Sequence, residues 1–286
     1  MGEGDWLESH PTKGQSVAAF LHRKGRKEPD RSRRRIYILP LGKEFVAGTG
    51  SVSKRFPDLL PTVERYCGAF FRGLSCRVME PVTSLRSVRS RRNQDTHQRQ
   101  LYVPDLFTIC RDRLPKDAFC VIGITFQDLY PAESWNFVFG KASLANRYGV
   151  FSLARFDPDF WGSPRPPDYE DMVTLRTLKV CAHEITHMFG VTHCCYFACM
   201  MNGSNSEEES IRRPLHMCPI CLRKLTMALK CDPEDRYQAL LEVYESMPGV
   251  FGETGAAEWV RDRLEFIRTE ALEPEPSTSS ASSTTG

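Results

Sequence analysis

The chain reads as an α+β protein of α/β-like character, organised around a mixed or mostly parallel sheet. Three observations carry this. Residues Ala118–Thr125, AFCVIGIT, form an unbroken apolar run, as a central strand covered on both faces requires. Strand-like and helix-like segments alternate along the chain up to about residue 170. A helix starting near Asp171 sets Leu175, Leu178, Ala182, Ile185 and Phe189 on one stripe, with His183 and His187 about 140° away at roughly 100° per residue.

The elements follow in order. Residues 1–34 are polar and broken by Gly and Pro, which predicts a mobile arm with a short helix over Ser16–His22. Arg35–Leu41 is a short apolar run halted at Pro40, a first strand. Thr62–Leu74 spaces Val63, Tyr66, Cys67, Phe70 and Leu74 for one buried helical face. Cys76–Val82 alternates like a half-buried strand, and the basic stretch after it, Arg86–Arg92, reads as loop. Pro104–Leu114 reads as a helix. Beyond the central strand, Trp135–Gly140 and Gly149–Phe156 read as short strands, either pure framework or a sheet edge able to accept an extended peptide. Trp161–Pro167 is a proline-rich loop, and Asp171 is the expected helix cap. Pro219–Leu229, Pro233–Ser246 and Ala256–Leu272 read as helices. The tail 273–286, Glu/Pro then Ser/Thr, is too polar to bury anything and is expected to be disordered. The body is then one domain, 35–272, with a sheet-and-helix part 35–193 and a helical part 194–272.

Composition narrows the function. The net charge of +2 provides no field favouring nucleic acid, and neither a recognition helix nor an aromatic platform accompanies the basic clusters His22–Arg35 and Arg86–Arg92. No run of about 18 apolar residues is present, so no spanning helix is expected. The opening Met1-Gly2-Glu3-Gly4-Asp5-Trp6 has no apolar signal segment and fails the myristoylation pattern. Eleven cysteines without an export signal point to thiols or thiolate ligands. The expectation is a soluble intracellular protein of the cytoplasm, with the nucleus as a further compartment.

His183-Glu184-Ile185-Thr186-His187-Met188-Phe189-Gly190-Val191-Thr192-His193 reads H-E-x-x-H-x-x-G-x-x-H. Two imidazoles four residues apart on a helix point the same way, since four residues advance about 400°. Gly190 lets the chain leave the helix, and His193 can swing back as a third ligand. Three histidines leave one tetrahedral position on zinc open, as a catalytic site does, and Glu184 stands where it can take a proton from water there.

Six of the eleven cysteines lie between Cys194 and Cys231. Cys194 and Cys199 form a C-x4-C pair, and Cys218-Pro219-Ile220-Cys221 a C-x-x-C knuckle, fitting a closed four-thiolate zinc site that stabilises rather than catalyses. The rival reading is a redox pair. Cys195 is an alternative to Cys194 on chemistry alone; Cys181 and Cys231 read as buried thiols. Met201, just after Cys199, is the candidate for a methionine turn or else an ordinary core residue.

The run His183–Cys221 resembles the archaemetzincins, a metzincin-clan family of zinc metallopeptidases, and looks most like its vertebrate-type members. The matching positions are His183, Glu184, His187, Gly190, His193, Cys194, Cys199, Met201, Cys218 and Cys221. Gly203-Ser204-Asn205, Arg212-Arg213-Pro214-Leu215, Ser134–Gly140 and Asp5-Trp6…Ser9-His10-Pro11 look familiar too. The resemblance implies a metzincin-type fold: a twisted mixed sheet, an active-site helix, and a helical C-terminal subdomain holding a second zinc. It implies a catalytic zinc on His183, His187 and His193, Glu184 as general base, a structural zinc on Cys194, Cys199, Cys218 and Cys221, and Met201 in the turn. It also implies aminopeptidase-like action on peptide or protein substrates. Met201 is followed by Asn202-Gly203-Ser204, without the tyrosine some metzincins carry there. The alternative is a non-catalytic zinc-stabilised module that binds protein partners.

Overall fold

A computed structural model of the chain describes residues 4–270; the tail 273–286 lies outside them. The strands are β1 (Arg35–Pro40), β2 (Ser75–Val78), β3 (Ser90–Arg92), β4 (Arg99–Tyr102), β5 (Ala118–Thr125), β6 (Asp128–Tyr130), β7 (Gly140–Ala142) and β8 (Tyr148–Ser152). The helices are α1 (Trp6–Ser9), α2 (Val17–Leu21), α3 (Ser51–Arg55), α4 (Leu59–Phe70), α5 (Val103–Asp112), α6 (Tyr169–Met188), α7 (Glu207–Arg212), α8 (Pro219–Leu229), α9 (Pro233–Glu245), α10 (Pro248–Phe251) and α11 (Ala256–Glu270).

The main sheet is mixed, in the order β2-β1-β5-β8-β7. The first four of these run parallel, and β7 closes the edge antiparallel to β8, with Gly140 opposite Phe151 and Ala142 opposite Gly149. Every residue of β5 is buried, because both faces are covered. Cys120, Ile122 and Ile124 face a core shared with α4, α6, α8 and α9. Val121 joins Leu39, Leu106 and Val150 in a second cluster under α5. Successive side chains of a strand point to opposite faces, so one apolar run serves two cores.

Several expectations shift. The basic stretch read as loop contains β3, which pairs with β4 and, through it, β6 in a second, three-stranded sheet. Trp135–Phe139, read as strand, is irregular, and only Gly140 of that segment lies in a strand. Its Trp135 and Asn136 carbonyls are taken by side chains, whereas the Phe139 carbonyl accepts from Ser152 N–H of β8 at 2.8 Å. Arg91 donates to the Trp135 and Asn136 carbonyls, and Asn93 and Gln100 donate to Asn136 at 3.2 and 2.9 Å. Beneath them Arg155 and Asp128 form a buried two-pronged ion pair at 2.9 and 2.8 Å, and the guanidinium stacks 3.6 Å over Phe137. A fork of this kind fixes geometry as well as charge. The helix begins at Tyr169, so its N-cap position is Asp168, not Asp171, and the Asp168 side chain makes no capping hydrogen bond.

The arm expected to be mobile packs on the body. Phe20 is fully buried and Gln15 is 9% exposed. Average polarity hid this, since isolated apolar residues, Trp6 and Phe20, anchor an otherwise polar segment. Among the described residues no helix is long and apolar enough to cross a membrane.

α6 carries one buried cation whose titration can be followed. Lys179 Nζ donates to the Ile211 carbonyl at 2.7 Å. Burial, with Arg213 and Arg176 nearby, pushes its pKa down from 10.5 to about 8. Between those values the unfolded chain keeps a proton the native state has lost, so stability rises with pH across that window. The full gain is about 3 kcal/mol. Denaturant unfolding at pH 7.5, 8.5 and 9.5 should show this rise in the wild type and not in Lys179→Met. Parallel pH profiles for the two proteins would contradict it.

Candidate metal centre and active site

The C-terminal half of α6 is buried from Thr177 to Met188, so the histidine face is enclosed as well as the apolar stripe. His183 and His187 stand one turn apart. α6 ends at Met188, and Gly190 adopts φ +91°, a left-handed conformation open to glycine with little strain. The chain turns there and brings His193 back. Ring centroids lie 4.6 Å apart for His183–His187, 5.3 Å for His183–His193 and 4.8 Å for His187–His193. One nitrogen from each lies within 4.8 Å of the others.

The hydrogen bonds set the tautomers. His183 Nδ1 donates to the Met200 carbonyl at 2.9 Å, and His187 Nδ1 to the Val191 carbonyl at 2.7 Å. In the tautomer these carbonyls require, both Nε2 atoms present bare lone pairs and face each other at 3.0 Å, while the Arg213 guanidinium, 3.0 Å from His183 Nδ1, favours the opposite tautomer of that ring until a cation claims its Nε2. Burial is the main force holding all three imidazoles neutral, with the pKa of His187 pushed down to about 4 and that of His193 to about 2. Two opposed lone pairs so close repel unless a cation lies between them. Tetrahedral zinc, with Zn–N near 2.0–2.1 Å, sets nitrogens about 3.3 Å apart, so this donor set fits the ion.

Glu184, 6% exposed, points from α6 toward the β7 edge. Its carboxylate lies against Gly140, where an added Cβ would stand 2.6 Å from Oε1. Burial pushes the Glu184 pKa up to about 8, against the pull of Arg213 and Lys141. Gly140→Ala should therefore displace this carboxylate. Peptide cleavage should fall at least tenfold with zinc content unchanged; wild-type cleavage by the variant would show that the contact does not matter.

The four cysteines gather in a second cluster. Cys194, Cys199, Cys218 and Cys221 are all buried, with sulfurs within 4.8 Å of one another. Cys194 Sγ lies 3.7 Å from Cys218 Sγ, close to the roughly 3.8 Å that tetrahedral Zn–S bonds of 2.3 Å impose. Backbone N–H groups of Met201, Cys218 and Cys221 point at sulfur at 3.3–3.4 Å. Sulfur-to-sulfur hydrogen bonds hold Cys194 well below the usual thiol range and push Cys199 and Cys221 well above it. Four such thiols do not all ionise without a cation, which a dication would supply. Cys195 stands outside the cluster and is partly exposed. Cys181 is buried, while Cys231 is only partly so.

The two clusters share one loop. Met200 anchors His183, Cys199 belongs to the thiol set, and the fully buried Met201 accepts from Cys194 N–H at 2.7 Å. Several residues here escaped the sequence reading. Arg213, buried, lies 3.0 Å from His183 Nδ1 and donates to the Asn202 carbonyl and Ser210 Oγ. Trp6, His10 and Gly140 line the cleft, a cavity of about 660 Å³. Arg213, Trp6, His10 and Gly140 fall within familiar-looking stretches, but nothing local in the sequence gives them a role.

A family model described as "Peptidase family M54" matches residues 78–227. Archaemetzincin-2 of Pongo abelii is 39% identical over 260 residues, 83% of this chain and 71% of that protein. Archaemetzincin-2 of Rattus norvegicus is 39% identical over 277 residues, 89% of this chain and 75% of that protein. Archaemetzincin-1 of Homo sapiens is 31% identical over 282 residues, 89% of this chain and 55% of that protein. Among solved structures, the archaemetzincin of Methanopyrus kandleri superposes with a TM-score of 0.52 at 24% identity, covering 71% of this chain and 99% of its own, a likeness of fold.

Proposed function

Because this chain belongs to peptidase family M54, the archaemetzincins, and is therefore a zinc metallopeptidase acting on peptides or proteins, we propose a specific assignment of its residues. His183, His187 and His193 would hold the catalytic zinc, and Cys194, Cys199, Cys218 and Cys221 a second, structural zinc, two ions per chain. The convergence of three imidazole nitrogens within 4.8 Å carries this reading. When bound there, zinc polarises a carbonyl and lowers the pKa of water toward 7.

The chain's own residues do the rest. Glu184 accepts the water proton on a carboxylate oxygen and later delivers it to the leaving amine. Its burial favours holding that proton, while Arg213 and Lys141 favour releasing it. Among the described residues β7 pairs on one side only, with β8, so its outer edge is open to an extended peptide laid along the cleft as an added strand. Met201 supports the turn beneath the histidines. Residues 35–272 act as one metallopeptidase unit, 35–193 building the cleft and 194–272 stabilised by the thiolate zinc. Thiolate ligation suits a reducing compartment, so we place the protein in the cytoplasm and nucleus.

Aminopeptidase-like trimming is the finer proposal. It would show as loss of cleavage on acetylating the substrate's N-terminus. The test is a peptide-library digest with wild type and Glu184→Ala in parallel, on free and acetylated pools. Fragments in both digests would remove Glu184 from the reaction. Equal cleavage of both pools by the wild type would remove the trimming mode.

A further inference from the structure

The three imidazoles are not held alike. His183 and His187 each donate Nδ1 to a backbone carbonyl. His193 has no such hydrogen bond among the described residues; an indole lies against it instead. The Trp6 and His193 rings are 4.4 Å apart at 78°, an edge-to-face contact. Trp6 also stacks on His10 at 4.8 Å and 6°.

The seat for this indole is built. A Cβ on Gly203 would lie 2.2 Å from the indole, so only a glycine there admits it. The Trp6 backbone N–H donates to Glu209 Oε1 at 2.8 Å, and Asp5 pairs with Arg212. Further along, Gln15 braces the turn before His193. Its Nε2 donates to the Gly190 carbonyl at 3.0 Å, and its Oε1 accepts from Thr192 N–H at 3.3 Å. Asp5, Trp6, His10 and Gln15 precede the span 78–227 matched by the family model.

A ligand histidine normally has its ring fixed by a hydrogen bond to its other nitrogen. We propose that Trp6, seated on Gly203, is the positioning residue for His193, so the N-terminal segment is a working wall of the metal site. This rests on the reading of His193 as a ligand. Loss of such an outer partner commonly weakens metal affinity 10–100-fold.

The test uses the full chain and reads metal binding, not cleavage. Zinc retention is measured by chelator competition, and Co(II) is substituted to report ligand geometry by its visible bands. Co(II)–thiolate absorption reports the cysteine cluster separately, as an internal control of folding. Trp6→Ala should weaken the histidine site 10–100-fold and change the visible bands, with thiolate absorption unchanged. Trp6→Phe should restore most of the affinity. Gly203→Ala, a single methyl driven into the indole, should reproduce the loss. The double variant Trp6→Ala/Gly203→Ala should be no worse than Trp6→Ala. Wild-type retention and bands in Trp6→Ala or in Gly203→Ala overturn the proposal. His193→Ala separates the two readings: if it too binds zinc normally, the ligand assignment itself falls, whereas a loss confined to His193→Ala removes only the role of Trp6.

Discussion

Glu184→Ala is expected to lower kcat/KM for a cleaved peptide by about 10²–10⁴ while the protein keeps its full zinc content. This corresponds to about 3–5 kcal/mol of transition-state stabilisation. The expectation comes from position. Glu184 directly follows His183 on α6, is buried, and is pressed against Gly140 at the sheet edge where a substrate strand would lie. Among the described residues no histidine hydrogen bond runs through it, so truncation should leave the three imidazole rings in place. The pH profile gives a second readout. A base works when ionised, so the rate should rise with pH through the Glu184 pKa and then level. Burial sets that pKa high, near 8, and a bound dication beside the carboxylate would draw the acidic limb below this value. The limb should vanish from the residual activity of Glu184→Ala. A variant that cleaves at the wild-type rate, or keeps the same acidic limb, would assign the proton transfer elsewhere.

What could be read from the chain follows from the range of the interactions involved. The histidine motif is local, because helix pitch and one glycine bring its imidazoles together, and the structure gathers His183, His187 and His193. β5 was legible because burial on both faces leaves a one-dimensional mark. The second sheet was not. β3 is three residues of Ser-Arg-Arg, too short for any period to show, and its Arg91 satisfies carbonyls more than 40 residues away. The same long reach explains Trp135–Phe139, whose aromatic alternation suggests a strand while its Trp135 and Asn136 carbonyls bond to side chains. The N-terminal segment was misread because two anchoring rings carry little weight in a polar stretch. Arg213 and Gly140 acquire meaning only once α6, β7 and the methionine loop are assembled around them.

Cys218→Ser should do more damage than the loss of any single histidine, and of a different kind. Cys218 caps α8: its sulfur accepts Cys221 N–H at 3.4 Å, and its own N–H points to Cys199 Sγ at 3.3 Å. Structural zinc in small thiolate sites supplies about 10–16 kcal/mol of apparent binding energy. A whole domain is stable by only about 5–15 kcal/mol. Losing such an ion would therefore exceed what the helices around α8 can absorb, and the variant should show one zinc fewer with loss of protection from hydrogen exchange across α8, α9 and α11. The damage should spread to the histidines, because Cys194 adjoins His193 and Cys199 adjoins Met200, whose carbonyl orients His183. His187→Ala should behave oppositely, losing one zinc while the thiolate cluster and the melting transition stay close to wild type. Such an asymmetry separates a metal that builds the fold from one that works on it. If Cys218→Ser keeps two zinc ions and a wild-type melting temperature, the cysteines are ordinary buried thiols and the C-terminal helices stand on packing alone.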